Sequence, residues 1–158
     1  MQTRETRKVI SVITLSDDGV LSRISGLFAG RGYSIESLTV APIPDTEFSR
    51  FTIVTQGSER VIEQIVKQLH KLIPTYKVIE KCDFVEKEMA LVKLPLNNDF
   101  NGLDAILKAY NGTVANASKD FIIVMVADDS SRVGHFIEAM SKYSPIDIVR
   151  SGSVAMER

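Results

Sequence analysis

The run Val9-Ile10-Ser11-Val12-Ile13-Thr14-Leu15 is β-branched and apolar, and predicts a strand. Ser16-Asp17-Asp18-Gly19 breaks it. Leu21, Ile24, Leu27 and Phe28 then recur on one helical face. Gly30 and Gly32 stop that helix, because glycine tolerates the left-handed conformation at a helix end. Residues 34–41 predict a second strand, Pro42, Pro44 and Asp45 a loop, and residues 48–56 a third strand. Ser58 is placed to cap a helix whose apolar face is Ile62, Ile65, Val66 and Leu69. Pro74 ends it, and residues 76–81 predict a last strand. The order is β-α-β-β-α-β.

The second half repeats this order. Glu88–Leu94 predicts a strand, and Leu103, Ile106, Leu107 and Tyr110 a helical face. Asn111-Gly112 turns the chain. Val114–Ser118 and Phe121–Ala127 predict strands joined by a tight Lys119-Asp120 turn. Ser130 or Ser131 is placed to cap a helix carrying Phe136, Ile137 and Met140. Pro145 precedes a strand from Ile146 to Val149, with a continuation toward Val154. A faint echo links the halves: Leu21, Ile24, Phe28 and Gly30 match Leu103, Ile106, Tyr110 and Gly112 at an offset of 82 residues.

The fold class expected is therefore α+β, two tandem ferredoxin-like βαββαβ units. The divide falls at Cys82, giving domains 1–82 and 83–158. Two helices cover one face of each sheet. The other face is expected to stay bare and to invite a partner, because large apolar patches seldom face water.

Composition narrows the function. Nineteen Lys and Arg against 20 Asp and Glu give a formal net charge of -1. A polyanion binder needs a surplus of clustered positive charge, so nucleic acid is not expected as a partner. An RNA-binding sheet also wants aromatics on its central strands, and Phe51 alone is well placed in the first half. No apolar run approaches the ~18 residues that a membrane span needs. The polar start, Met1 to Lys8, reads as a short frayed tail and lacks the apolar segment of a secretory signal. Cys82 is the single cysteine, which excludes an intramolecular disulfide and is compatible with a reducing cytoplasm.

No catalytic or metal constellation is legible. His70 and His135 share no sequence context, and one cysteine with two distant histidines does not make a zinc site. Gly26, Gly30 and Gly32 follow their helix instead of opening it, so they cannot present a helix start to pyrophosphate. The informative segment is Leu15 to Arg23, where a strand hands over to a helix. First-turn amides there lack intrahelical partners and carry partial positive charge. Gly19 has no side chain to block a small carboxylate, and Ser16 or an aspartate can accept from an ammonium group. The plainer alternative is an ordinary Ser/Asp N-cap, with Gly19 easing the turn.

Gly19 to Pro42, taken as one stretch through Gly30-Arg31-Gly32-Tyr33-Ser34-Ile35-Glu36-Ser37-Leu38-Thr39-Val40-Ala41, closely resembles the small subunit of acetolactate synthase (acetohydroxyacid synthase). Ser49 to Thr55, Gln64 to Leu72, Glu86 to Lys93 and Arg150-Ser151-Gly152 extend the resemblance. It implies an N-terminal ACT domain that forms a homodimer, with a C-terminal ACT-like α/β sandwich behind it. It implies binding of valine or another branched-chain amino acid at the dimer interface. It implies a non-catalytic chain that activates the catalytic large subunit and confers feedback inhibition. Thiamine diphosphate, magnesium and FAD then belong to that large subunit, and none to this chain.

The resemblance places the effector at Ser16, Asp17, Asp18, Gly19 and Val20, with Ser34, Ile35, Thr39 and Ala41 on the second-strand side. Many members carry asparagine at the positions of Ser16 and Ser34, and an amide reaches further than a hydroxyl. Pro95 to Ser144 departs from the family pattern. A free-standing amino-acid-binding regulator without an enzyme partner is the alternative reading.

Overall fold

The computed structural model describes residues 4–97 and 99–158. They fall into two compact units: residues 4–85 with 155–158, and residues 86–154. No helix among the described residues is long and apolar enough to cross a membrane.

The first unit runs β1 (Thr6–Leu15), α1 (Val20–Gly30), β2 (Ser37–Pro42), β3 (Phe48–Gly57), α2 (Glu59–Lys71) and β4 (Thr75–Ile79). The expected tail is shorter than Met1 to Lys8, because β1 already begins at Thr6; Met1 to Thr3 lie outside the described residues. The strands order β2-β3-β1-β4, all antiparallel, which leaves β2 at an edge. Ile10 and Val12 of β1 and Phe51 and Ile53 of β3 face the helices, where Val20, Ile24, Leu27, Phe28, Ile62, Ile65 and Leu69 complete the core. Ser58 caps α2 as its position requires, accepting the Val61 N–H at 3.3 Å.

Two expectations change in this unit. The buried face of α1 begins at Val20, whereas Leu21 is 48% exposed. The helix starts immediately after Gly19, and that sets the face one residue earlier. The opposite sheet face is also not bare: Ser11, Thr52 and Val54 are buried on it, and Arg50 Nη1 donates across to Ser11 Oγ at 2.7 Å.

The second unit contains β5 (Phe84–Pro95), α3 (Leu103–Ala109), β6 (Thr113–Ala117), β7 (Phe121–Asp128), α4 (Ser130–Met140), a 3₁₀ turn (Ser141–Tyr143) and β8 (Asp147–Arg150). The strands order β6-β7-β5-β8, the same topology as the first sheet, and β9 (Val154–Glu157) also pairs with β5. The last strand thus breaks in two at Ser151 to Ser153 instead of continuing toward Val154. Neither Ser130 nor Ser131 caps α4; Asp129 holds that position without a side-chain cap. Ala90, Val92, Leu94, Val124 and Val126 meet Leu103, Leu107, Val133, Phe136, Met140 and Tyr143 in the core. The other face keeps exposed apolar side chains, Met89 and Val149 among them.

One carboxylate is buried in the second unit. Glu88 accepts Arg150 Nε at 2.7 Å and Ser153 Oγ at 3.0 Å. Burial alone would raise its pKa; hydrogen bonds from Ser130, Arg150 and Ser153, with the Arg150 charge, outweigh that and hold it below the ordinary glutamate value.

Candidate functional site

Gly19 precedes α1 in the left-handed conformation, with φ 84°, and no side chain caps the helix. The N-cap expected of Ser16, Asp17 or Asp18 is therefore not formed. Val20 N–H reaches Asp17 O at 3.5 Å, a long contact, and Arg23 N–H reaches Gly19 O at 3.0 Å. Residues with a Cβ pay to adopt this backbone, so glycine is the residue that lets the strand turn so tightly into the helix. Nothing lies within 4 Å of where a Gly19 side chain would begin. The helix start is open, and its dipole favours an anion.

A cavity of about 310 Å³ lies against this turn. That is the lower end of the range of small-molecule sites, roughly 300–1,000 Å³. Ser16, Asp17, Asp18, Gly19 and Val20 all line it. So do Leu15 and Leu21, which belong to the same informative segment, and Thr14, Val40, Ser49 and Phe51, which the sequence did not place here. Val20, Leu21, Val40 and Phe51 give it an apolar wall, while Ser16, Asp17, Asp18 and Ser49 give it a polar one. The Ser16 N–H donates to Glu47 O at 2.9 Å, and the Ser16 and Ser49 hydroxyls stand 2.6 Å apart. These bonds tie the turn to β3.

The second-strand residues sit elsewhere in a single chain. Ser34 lines a different cavity, with Arg31, Tyr33 and Gln56, and its hydroxyl donates to Gln56 O at 3.2 Å. Ile35 packs against the core of the first unit. Thr39 pairs with Thr52, and Ala41 with Arg50, in the β2–β3 register. Side chains alternate along a strand, so Val40 lines the cavity at the turn while Thr39 and Ala41 point to the other face. Ser34 is bonded to Gln56, seven residues along β3 from Ser49, which at ~3.3 Å per residue places it about 20 Å from the turn. Val40 was recoverable from that alternation. Ser49 needed the pairing of β3 with β1, where it lies opposite Thr14.

Other candidate chemistry stays dispersed. His70 and His135 are both exposed. Among the described residues no group of three or more His, Cys, Asp or Glu is placed to hold a metal ion. Cys82 is exposed, and residual desolvation with the nearby Glu157 and Asp83 charges raises its pKa, which disfavours the reactive thiolate.

Residues 10–77 match the family described as the AHAS small subunit-like ACT domain, and residues 87–158 the family described as the small subunit of acetolactate synthase. The isozyme 3 small subunit of acetolactate synthase from Escherichia coli is 38% identical over 158 residues, covering 96% of each chain. The chain belongs to the acetolactate synthase small-subunit family. The small subunit from Aquifex aeolicus is 37% identical over 167 residues, covering 99% of this chain and 87% of that one. The crystal structure of the acetolactate synthase small subunit from Thermotoga maritima superposes with a TM-score of 0.87 at 30% identity, over 97% of this chain and 98% of that one. Both units of this chain, with Pro95 to Ser144 included, thus share the family's architecture.

Proposed function

We propose that this chain is the regulatory small subunit of an acetolactate synthase. It binds valine or a related branched-chain amino acid, activates a catalytic large subunit and confers feedback inhibition on it. The observation that carries the reading is the uncapped start of α1, opened by Gly19 onto a cavity with one apolar and one polar wall. The amides at the helix start suit a carboxylate. Ser16, Asp17 and Asp18 suit an ammonium group. Val20, Leu21, Val40 and Phe51 suit a branched aliphatic side chain.

The same reading makes the chain a homodimer. The outer edge of β2 is unpaired in the four-stranded sheet, and such an edge is a template for another strand. Antiparallel pairing of two β2 edges about a two-fold axis brings the start of one strand beside the end of the other. Ser34 and Ile35 of a second copy would then approach the turn at Ser16 to Val20. A site shared in this way answers to how the two copies pack, and its effect cannot exceed the effector's differential affinity for the packings.

The reading leaves the chemistry, with its thiamine diphosphate, magnesium and FAD, to the large subunit, and places both chains in the cytoplasm. Reconstitution tests it. The large subunit is assayed with and without this chain, across series of valine, leucine and isoleucine. Higher activity on adding the chain, reversed by at least one of the three, is the expected result. Acetolactate formation by this chain alone, or no effect on the large subunit, would overturn it. Amino-acid binding without any effect on the large subunit favours a free-standing regulator.

A further inference from the structure

Ser16 Oγ and Ser49 Oγ stand 2.6 Å apart, and either can be the donor. Both residues line the cavity at the start of α1. The backbone pins both ends: Ser16 N–H is held by Glu47 O, and Ser49 pairs with Thr14 on one side and Pro42 on the other. Each hydroxyl has one hydrogen and two acceptor lone pairs. Their mutual bond uses one hydrogen and leaves the other. Among the described residues no other side-chain hydrogen bond engages either hydroxyl. Reversing the bond moves the spare hydrogen from one serine to the other. The pair therefore presents a donor and an acceptor side by side, and can exchange their places without moving an oxygen.

A zwitterion needs that combination, because its carboxylate takes a donor and its ammonium an acceptor. Alone on an exposed turn, the Ser16 hydroxyl would rotate among three staggered positions. Bonded to Ser49, it is held in one of them before any ligand arrives. We propose that Ser49 is a positioning residue for the amino-acid effector: it fixes Ser16, and the two hydroxyls act as one donor–acceptor unit. The inference rests on the effector reading given above and deepens it.

Calorimetric titration of valine into the full-length protein tests it, with a melting curve for each variant. Ser49→Ala should weaken valine about three- to tenfold, the size of one hydrogen bond lost. Ser49→Thr keeps the hydroxyl and should retain the affinity, which separates this loss from a packing defect. Ser16→Asn supplies donor and acceptor on one amide and needs no partner. In that background Ser49→Ala should cost little further affinity. Wild-type affinity in Ser49→Ala, or the same loss in both backgrounds, overturns the proposal while the effector site stands. A wild-type protein that gives no heat with valine, leucine or isoleucine overturns the site and this inference together.

Discussion

Gly19 and Gly102 open the first helices of their respective units in the same backbone conformation. Their φ values are 84° and 86°, and neither helix has a side-chain cap. The surroundings differ. Nothing lies within 4 Å of a Cβ built on Gly19. A Cβ on Gly102 would stand 3.4 Å from Lys142 Nζ and 3.6 Å from Tyr143 Oη. The Tyr143 hydroxyl also donates to Asn101 O at 2.9 Å, one residue before the turn. The first unit thus keeps its corner open, while the second fills it with its own 3₁₀ turn. A left-handed glycine at a helix start is therefore not enough to leave a corner open; what the neighbouring element places in front of it decides.

The most severe way to break this contrast is to remove the filling. Tyr143 is 2% exposed and packs with Phe100 at 6.2 Å between ring centroids. Tyr143→Ala should cost about 3–5 kcal/mol of stability, as large-to-small core changes of aromatics do. Tyr143→Phe, which keeps the ring and loses the bond to Asn101 O, should cost about 1 kcal/mol. Urea unfolding followed in both variants checks the ratio. Equal and small effects would mean that Tyr143 does not seal the corner. Valine binding in Tyr143→Phe should match the wild type, since the open corner lies in the other unit.

The two units also use their polar groups differently. Among the described residues the buried polar groups of the first are all hydroxyls, on Ser11, Thr14, Thr52 and Thr55, whereas the second buries the Glu88 carboxylate together with the Ser153 hydroxyl that donates to it. Because the Glu88 pKa is lowered in the folded chain, its stabilisation is present above the unfolded glutamate value, about 4.3. It is lost as pH falls from there through the lower folded value. Acid unfolding should therefore begin in the second unit, which amide exchange read at pH 3 to 5 would show. Arg150→Ala removes a charged donor from the Glu88 carboxylate and should cost about 2 kcal/mol at pH 7. That difference should shrink as pH drops below 4. Loss of protection in the first unit ahead of the second would contradict the assignment.

Much of this contrast was legible in the residues. The strands of both units, their shared order and the cap at Ser58 follow from periodicity and from turn residues. The internal echo was read one residue out of step. Leu21 with Leu103 and Ile24 with Ile106 gave an offset of 82, yet the buried pairs are Val20 with Leu103 and Ile24 with Leu107, an offset of 83. Helical periodicity tolerates that slip, because residues three and four apart share a face. Of the cavity lining, Ser16 to Val20 were legible from the strand-to-helix switch. Ser49 and Phe51 were not, since their approach depends on the β1–β3 register, which is a tertiary fact. The break between β8 and β9 was hidden for a similar reason. Ser151 N–H donates to Met89 O, and Ser151 Oγ takes the Met89 N–H, partners 62 residues away in sequence.

The gentlest test compares the two glycines directly. Gly19→Ala and Gly102→Ala impose the same backbone penalty, about 1 kcal/mol for an alanine held at positive φ. At position 19 the added methyl meets open space, so the penalty should be the whole of the cost. At position 102 it meets Lys142 Nζ at 3.4 Å and Tyr143 Oη at 3.6 Å, ordinary van der Waals contacts that require no neighbour to move, so the cost should match that at 19 within a few tenths of a kcal/mol. The two stability losses should therefore nearly coincide. Binding should separate them: the methyl at 19 stands at the start of α1 beside the cavity, where a carboxylate would approach, whereas the methyl at 102 lies in the other unit against Lys142 and Tyr143. Calorimetry with valine should show weakened binding for Gly19→Ala and wild-type binding for Gly102→Ala. Equal binding in the two variants would take Gly19 out of the site, and weakened binding in Gly102→Ala alone would move the site to the second unit.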